Sequence, residues 1–108
     1  MEYRVREVRK GILPTLVLAL LKDEELSAIE IVERMESLGL RMPIGTVYPM
    51  LKRLEKSGLI EAKRDVSGSK PRKKYRLTEQ GEAMLEEMSE FLRHIFEVLR
   101  KLLWGSRG

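Results

Sequence analysis

Residues 46–60, TVYPMLKRLEKSGLI, decide the fold that this sequence predicts. Pro49 fits a helix best near its start, because further inside it removes a hydrogen bond and clashes with the preceding turn. With Thr46 as the N-cap, Pro49 is the third helical residue, whose N–H has no partner in the helix anyway. The helix then runs to about Ser57, and Gly58 is placed to end it.

Two further helices are predicted on the N-terminal side of this segment. Gly11 near an N-cap puts Pro14 in the first turn of an apolar helix, where a missing N–H costs nothing. Ser27 followed by Glu30 forms a capping box, which favours the start of a second helix there. Gly39 is placed to end that helix in the left-handed conformation. The sequence therefore predicts three short helices before residue 58.

A β-hairpin is predicted directly after the third helix. Residues 59–64 and 73–77 read as two short strands, since apolar and polar side chains alternate in the second. Residues 65–71 between them contain a glycine, two serines and a proline, which favour a turn. Three helices followed by a two-stranded hairpin are typical of a winged helix-turn-helix. The expected class is thus α+β and mainly helical.

The last predicted helix begins after Thr78 and continues to about Trp104. Six of its apolar residues are spaced 3, 4, 3, 4 and 3 apart, which is a heptad seam. They are Leu85, Met88, Leu92, Ile95, Leu99 and Leu102. A helix of this length spans about 39 Å at 1.5 Å per residue, so it overhangs a small domain. We expect a long C-terminal dimerisation helix; the alternative is a helix that folds back on its own domain.

Basic charge is concentrated in one third of the chain. The 108 residues carry a formal net charge of +4, but residues 41–76 contain eleven Lys or Arg and three acidic residues. The remainder is therefore net acidic. A local positive field of this kind favours a polyanion, either nucleic acid or an acidic lipid surface. A solvated basic surface without a partner is the alternative.

The predicted fold assigns these cations to a nucleic-acid interface. The N-terminus of a helix can read base edges in the major groove, and cations beside it can neutralise the phosphate backbone. Tyr48 could instead pack against the second helix. Arg53 and Arg76 could instead pair with acidic neighbours such as Glu61. The candidate contacts to double-stranded DNA are Thr46, Tyr48, Lys52, Arg53, Lys63, Arg64, Lys70, Arg72, Lys73, Lys74 and Arg76.

Three segments carry a resemblance to a known family. Residues 48–60 resemble the recognition-helix signature of the PadR family of transcriptional regulators, and residues 70–81 resemble its wing and the start of its dimerisation helix. Residues 16–21 are similar to its first helix. The single closing helix resembles the short subfamily. The chain departs from the family pattern at Ala28-Ile29, at Ser69 and at Lys74, which replaces one of two adjacent tyrosines.

The resemblance implies a homodimer that represses transcription and releases DNA when a small molecule binds. In some short members an aromatic compound lies at the dimer interface near a tryptophan. Trp104 is the only tryptophan of this chain, and Phe96 lies two turns before it. These two residues are the candidate effector contacts. Trp104 could equally anchor the interface or cap the helix end.

The residues exclude several other classes of protein. The chain has no cysteine and one histidine, His94, which is expected to be either a packed residue or an interface residue. Neither a metal cluster nor a thiolate site is therefore expected. No phosphate-binding glycine loop or nucleophile elbow is present, so we expect no enzyme and no cofactor. The longest apolar run is too short for a membrane span and no signal peptide is evident, which indicates a cytoplasmic protein.

The predicted organisation is an arm at residues 1–10, a DNA-binding domain at 11–77, a dimerisation helix at 78–104 and a tail at 105–108. A winged-helix module that binds only proteins, or a dimer that only binds an effector, would be the competing functions. Neither needs a basic wing. The lack of asparagine and the abundance of Glu, Lys and Arg suggest a heat-adapted source, which the thermal unfolding midpoint would test.

Overall fold

The computed structural model describes the backbone of residues 5–105 and the side chains of residues 12–105. The described elements occur in the order three helices, two strands and one long helix. They are α1 (Val5–Leu20), α2 (Ala28–Ser37), α3 (Ile44–Lys56), β1 (Ile60–Asp65), β2 (Arg72–Leu77) and α4 (Glu79–Trp104). This order confirms the mainly helical α+β winged helix-turn-helix with a long C-terminal helix. Residues 1–4 of the predicted arm and 106–108 of the predicted tail lie outside the described residues.

The first helix begins earlier than the sequence predicted. α1 starts at Val5 rather than near Gly11, so Pro14 lies inside the helix and the boundary predicted after residue 10 falls within it. The cost of an interior proline is about 3 kcal/mol, which packing can outweigh. Val17, Leu18 and Leu21 are all buried on the turns that follow it. The predicted N-cap was therefore wrong, because a proline inside a helix costs free energy but is not forbidden.

The capping box of α2 is confirmed. The Ser27 hydroxyl oxygen accepts a hydrogen bond from the Glu30 backbone N–H at 3.2 Å, and the Glu30 carboxylate accepts one from the Ser27 N–H at 2.8 Å. Two of the unpaired donors at the helix start are thereby satisfied. Gly39 adopts φ +81° after the helix, as predicted.

The third helix begins two residues before the predicted N-cap. Pro43 is the N-cap, with extended backbone and no side-chain hydrogen bond. Its carbonyl oxygen accepts hydrogen bonds from the N–H groups of Thr46 at 2.8 Å and Val47 at 3.2 Å. Thr46 therefore lies inside α3, and its predicted capping role was wrong. Gly58 ends the helix region with φ +79°, as expected.

The hairpin is antiparallel, as predicted, with each strand one residue from its expected bounds. Ile60 pairs with Leu77 and Ala62 with Tyr75, and these four residues share the face turned toward the helices. A further backbone bridge joins Leu26, just before α2, to Tyr75 through hydrogen bonds of 2.8 and 3.1 Å. The second strand is thus fixed on both sides at its base.

The core lies between α1, α2, α3 and the base of the hairpin. Its buried apolar residues are Val17, Leu18, Leu21, Leu26, Ala28, Ile31, Met35, Met42, Val47, Met50, Leu51, Leu54, Leu59, Ile60 and Tyr75. Each of the three helices before the hairpin contributes at least two residues to this core. α3 therefore packs on the core through Val47, Met50, Leu51 and Leu54, and the opposite face of the helix is exposed.

α4 extends far beyond this core. Thr78 caps it by accepting a hydrogen bond from the Gly81 N–H at 3.0 Å, as predicted. Gly81 is the one buried residue of α4, and the described part of the molecule is 57 Å long but only 29 by 27 Å across. The distal half of the helix lies far from the core, so it does not fold back on its own domain.

Candidate nucleic-acid interface

The exposed face of α3 carries the candidate base contacts. Tyr48 is 48% exposed, and Lys52 and Arg53 are exposed one turn further along. Thr46 is half-buried beside them. The spacing of four residues between Tyr48 and Lys52 places both on one side of the helix. Among the described side chains, Arg53 forms no ion pair, so its alternative role as a partner of an acidic neighbour is not observed.

A groove separates this helix face from the hairpin. Its volume is about 270 Å³, and its lining combines two tyrosines, two cations and the start of α2. The lining residues are Ser27, Ala28, Ile29, Tyr48, Pro71, Arg72, Lys73 and Tyr75. Burial raises the pKa of the Tyr75 hydroxyl, and the negative charge of Glu55 acts in the same sense. The groove thus lies between the candidate base contacts and the candidate phosphate contacts.

Like charges lie opposite each other along the hairpin. Lys63 is paired in register with Lys74, and Arg64 with Lys73. Directly opposed like charges on neighbouring strands destabilise a hairpin. The side chains of Lys63, Arg64, Lys70, Arg72 and Lys73 are all exposed. An anion bound against the hairpin would relieve this repulsion.

Two of the candidate cations already have acidic partners. The Arg76 guanidinium contacts the Glu61 carboxylate at 2.5 Å and the Glu25 carboxylate at 3.9 Å, so the alternative role predicted for Arg76 is observed. The Lys74 ammonium lies 3.4 Å from Glu30 and 4.0 Å from Asp65. Among the described side chains, Arg76 and Lys74 are therefore compensated, whereas Arg64, Arg72 and Lys73 form no ion pair.

The candidate interface and effector residues lie along α4. Leu85, Met88, Leu92 and Ile95 are half-buried, and the distal seam residues Leu99 and Leu102 are exposed. Phe96 and Trp104 are each 71% exposed. Eight residues of helix separate them by about 12 Å. His94 is exposed on the polar side of the helix, so within this chain it is not packed, contrary to one of its predicted roles.

Sequence reasoning missed one exposed residue at the start of α3. Ile44 is the first residue of the helix and is exposed, as is Gly45 after it. The N-cap, Pro43, makes no side-chain hydrogen bond, so no capping pattern marked this start. The helix tip therefore begins with Ile44.

Residues 12–105 contain no group of three His, Asp or Glu side chains placed to hold a metal ion. None of the described helices combines the length and apolar character needed to cross a membrane.

Comparison with known proteins agrees with this geometry. Residues 17–87 match the model of the transcriptional regulator PadR-like family. The transcriptional regulator Rv3488 of Mycobacterium tuberculosis is 31% identical over 101 residues, which cover 94% of this chain and 92% of that protein.

Solved structures show the same similarity. A PadR family transcriptional regulator from Eggerthella lenta superposes with a TM-score of 0.80 at 35% identity, covering 92% of this chain and 88% of that one. Bacillus subtilis PadR in complex with operator DNA gives a TM-score of 0.66 at 31% identity, covering 71% and 47% respectively. The family match spans the recognition helix, the wing and the start of α4, and the chain therefore belongs to the PadR-like family of transcriptional regulators.

Proposed function

We propose that this regulator binds double-stranded DNA as a homodimer. The start of α3 enters the major groove, and the hairpin, which we call the wing (residues 60–77), lies against the neighbouring phosphates. The similarity to a PadR protein in complex with operator DNA supports this proposal. Membership in a family of transcriptional regulators also agrees with the expectation that the chain is not an enzyme.

The observation that best supports DNA binding is the positive charge of the wing that no described carboxylate neutralises. Arg64 and Lys73 face each other across the strands, and no carboxylate of the described side chains forms an ion pair with either. Arg72 and Lys73 also line the groove beside Tyr48. A protein-only module needs no such repulsive arrangement, whereas a phosphate backbone supplies the missing counter-charge. DNA binding is therefore the function that this surface favours.

The wing contact is tested by the salt dependence of binding. Arg72→Ala and Lys73→Ala are each expected to weaken binding to all duplex sequences alike. Each should also reduce the slope of log K against log salt by about 0.9, because one phosphate contact is lost. Fluorescence anisotropy at several salt concentrations measures both quantities. Lys101→Ala, at the far end of α4, is the control; slopes unchanged by the wing variants would contradict phosphate contact.

Dimerisation through α4 is the second part of the proposal. The seam residues that start at Leu85 end in an exposed apolar segment, and such surfaces are commonly covered by a partner. Residues 11–77 would then form the DNA-binding domain and residues 78–104 the dimerisation helix. Two copies would read half-sites about 34 Å apart, or a multiple of that distance.

Repression with release by an aromatic effector completes the proposal. Trp104 and Phe96 are exposed and offer aromatic faces near the distal seam of α4. A planar aromatic ligand that stacks there is expected to quench the fluorescence of Trp104, the single tryptophan. Phe96→Leu should weaken this quenching without removing the fluorophore. Titration with a set of planar aromatics measures it, and constant fluorescence throughout would refute an aromatic site at Trp104.

A further inference from the structure

Lys74 differs from the other cations of the wing in what surrounds it. Its side chain is 25% exposed, whereas the neighbouring Lys73 is an exposed residue whose ammonium lies 5.9 Å from the centre of the Tyr75 ring and pairs with no carboxylate of the described side chains. The Lys74 ammonium lies 3.4 Å from Glu30 Oε1 on α2 and 4.0 Å from Asp65 Oδ2 at the end of β1. It thus bridges the helix-turn-helix and the wing.

Both carboxylates are themselves held in place. The Glu30 Oε1 atom that faces Lys74 also accepts the Ser27 backbone N–H at 2.8 Å, which closes the capping box of α2. Asp65 Oδ1 accepts hydrogen bonds from the backbone N–H and hydroxyl of Ser67, at 3.0 and 2.6 Å, at the start of the wing turn. Lys74 therefore links a fixed helix start to a fixed turn.

The backbone near Lys74 shows what this link adds. Tyr75 is joined to Leu26 by two backbone hydrogen bonds, which attach β2 to the segment before α2. Lys74 is the next residue toward the wing tip, and beyond it no described ion pair joins β2 to α2. Among the described residues, Lys74 is thus the last ion-paired residue of β2 before the exposed tip.

From this placement, and resting on the function proposed above, we propose that Lys74 is a positioning residue. It sets the angle of the wing to the recognition helix through Glu30 and Asp65, and it does not neutralise a DNA phosphate. Phosphate contact belongs to the exposed cations of the wing, such as Lys73. Two cations adjacent in sequence thus have different roles in the same binding event.

The salt dependence of DNA binding separates the two roles. Lys74→Gln is expected to weaken binding about two- to fivefold, the size of one ion pair, with an unchanged slope of log K against log salt. Lys73→Gln, the matched control, is expected to lower the slope by about 0.9. The probe is a mixed-sequence duplex of about 30 bp, roughly three helical turns. A slope for Lys74→Gln that falls as far as that of Lys73→Gln would overturn the proposal, as would unchanged affinity.

A double-mutant cycle identifies the route. Glu30→Gln keeps the capping box, since glutamine serves at this position as well, but it removes the charge that Lys74 contacts. If Lys74 acts through Glu30, the double variant with Lys74→Gln binds DNA no more weakly than either single variant. Additive losses would show that Lys74 acts independently of Glu30 and would contradict the proposed route.

A measurement without DNA keeps the proposal separate from the proposed function. In amide NMR spectra, Lys74→Gln is expected to shift the signals of the wing turn, residues 65–71, whereas Lys73→Gln leaves most of them in place. If the native protein binds no duplex at low salt, DNA binding as the function fails, and the spectra still show whether Lys74 positions the wing. Unshifted wing signals in Lys74→Gln would refute positioning.

Discussion

Neighbouring cations of the wing differ in function because their side chains contact different groups. Composition and spacing predict a basic hairpin with seven candidate cations for DNA. The structure leaves Lys73 exposed and surrounds Lys74 with two carboxylates. The acidic partners lie 44 and 9 positions away in sequence, at Glu30 and Asp65, so no local pattern could have shown both. The sequence thus predicted where the positive charges of the wing lie, but not which of them are paired with carboxylates.

The stability of the fold is expected to depend on pH through Glu30. The pKa of its carboxyl lies below the ordinary value of 4.5, because the Ser27 backbone N–H donates to the carboxylate and Lys74 attracts it, while burial acts in the opposite sense. A depressed folded-state pKa contributes stability above the unfolded-state value, which is lost as pH falls through the folded-state pKa. Native protein and Glu30→Gln should therefore differ most near pH 7 and converge below pH 4.5.

Urea denaturation at pH 7 and at about pH 3 measures this difference in the free energy of unfolding. Glu33→Gln, an exposed glutamate of the same helix, is the matched control and is expected to differ little from the native chain at either pH. A gap between native protein and Glu30→Gln that stays constant with pH would contradict the assigned role of the Glu30 carboxylate.

The ends of the helices show which element boundaries a sequence can predict. The boundaries marked by side-chain caps or glycines, at Ser27, Gly39, Gly58 and Thr78, agree with the structure. The start of α3 was misplaced because its N-cap, Pro43, makes no side-chain hydrogen bond. A helix boundary was therefore predictable from the sequence only where a side-chain cap or a glycine forms it.

The junction between α3 and α4 depends on close packing at Gly81. A Cβ atom built at this glycine would overlap the backbone carbonyl oxygen of Leu59. Thr78 reinforces the same junction, since its hydroxyl donates to the Gly58 carbonyl at 2.6 Å and its N–H to that of Leu59 at 3.1 Å. Gly81→Ala is expected to lower the free energy of unfolding by about 1–3 kcal/mol, the usual cost of overpacking. Thermal or urea denaturation measures the change.

Gly45→Ala, a substitution of the glycine in α3, provides the matched control. A Cβ at Gly45 would meet nothing within 4 Å, and the residue lies in α3 without a left-handed φ. Alanine there is expected to stabilise the helix by about 0.5–1 kcal/mol. If both substitutions were equally harmless, the tight contact between Gly81 of α4 and the Leu59 carbonyl, which precedes β1, would be contradicted.

At the scale of the whole molecule, α4 makes the shape incompatible with a compact single chain. The described residues span 57 Å in one direction, about twice the other two. The distal apolar residues Phe96, Leu102, Leu103 and Trp104 remain exposed at the far end. An apolar surface of this extent favours association with a second chain.

Leu99→Glu is expected to shift the protein from dimer to monomer. Leu99 lies on the heptad seam and is 42% exposed in the single chain, so a charge there leaves the core intact but would be buried unpaired at the interface. Sedimentation equilibrium or light scattering measures the mass, and DNA affinity should fall with it.

The matched control is His94→Glu, which introduces the same charge on the polar side of α4 and should stay dimeric. If both variants were monomeric, or if both were dimeric, the heptad seam would not be the dimer interface.

The sequence alone determined the order of elements, the family resemblance, the basic wing and the heptad seam, because each follows from residues close together in the chain. Tertiary structure alone decided that Lys74 and Arg76 are compensated and that the distal seam residues Leu99 and Leu102 stay exposed. These features depend on groups brought together by folding, since electrostatic and packing energies depend on distance in space and not on separation along the chain.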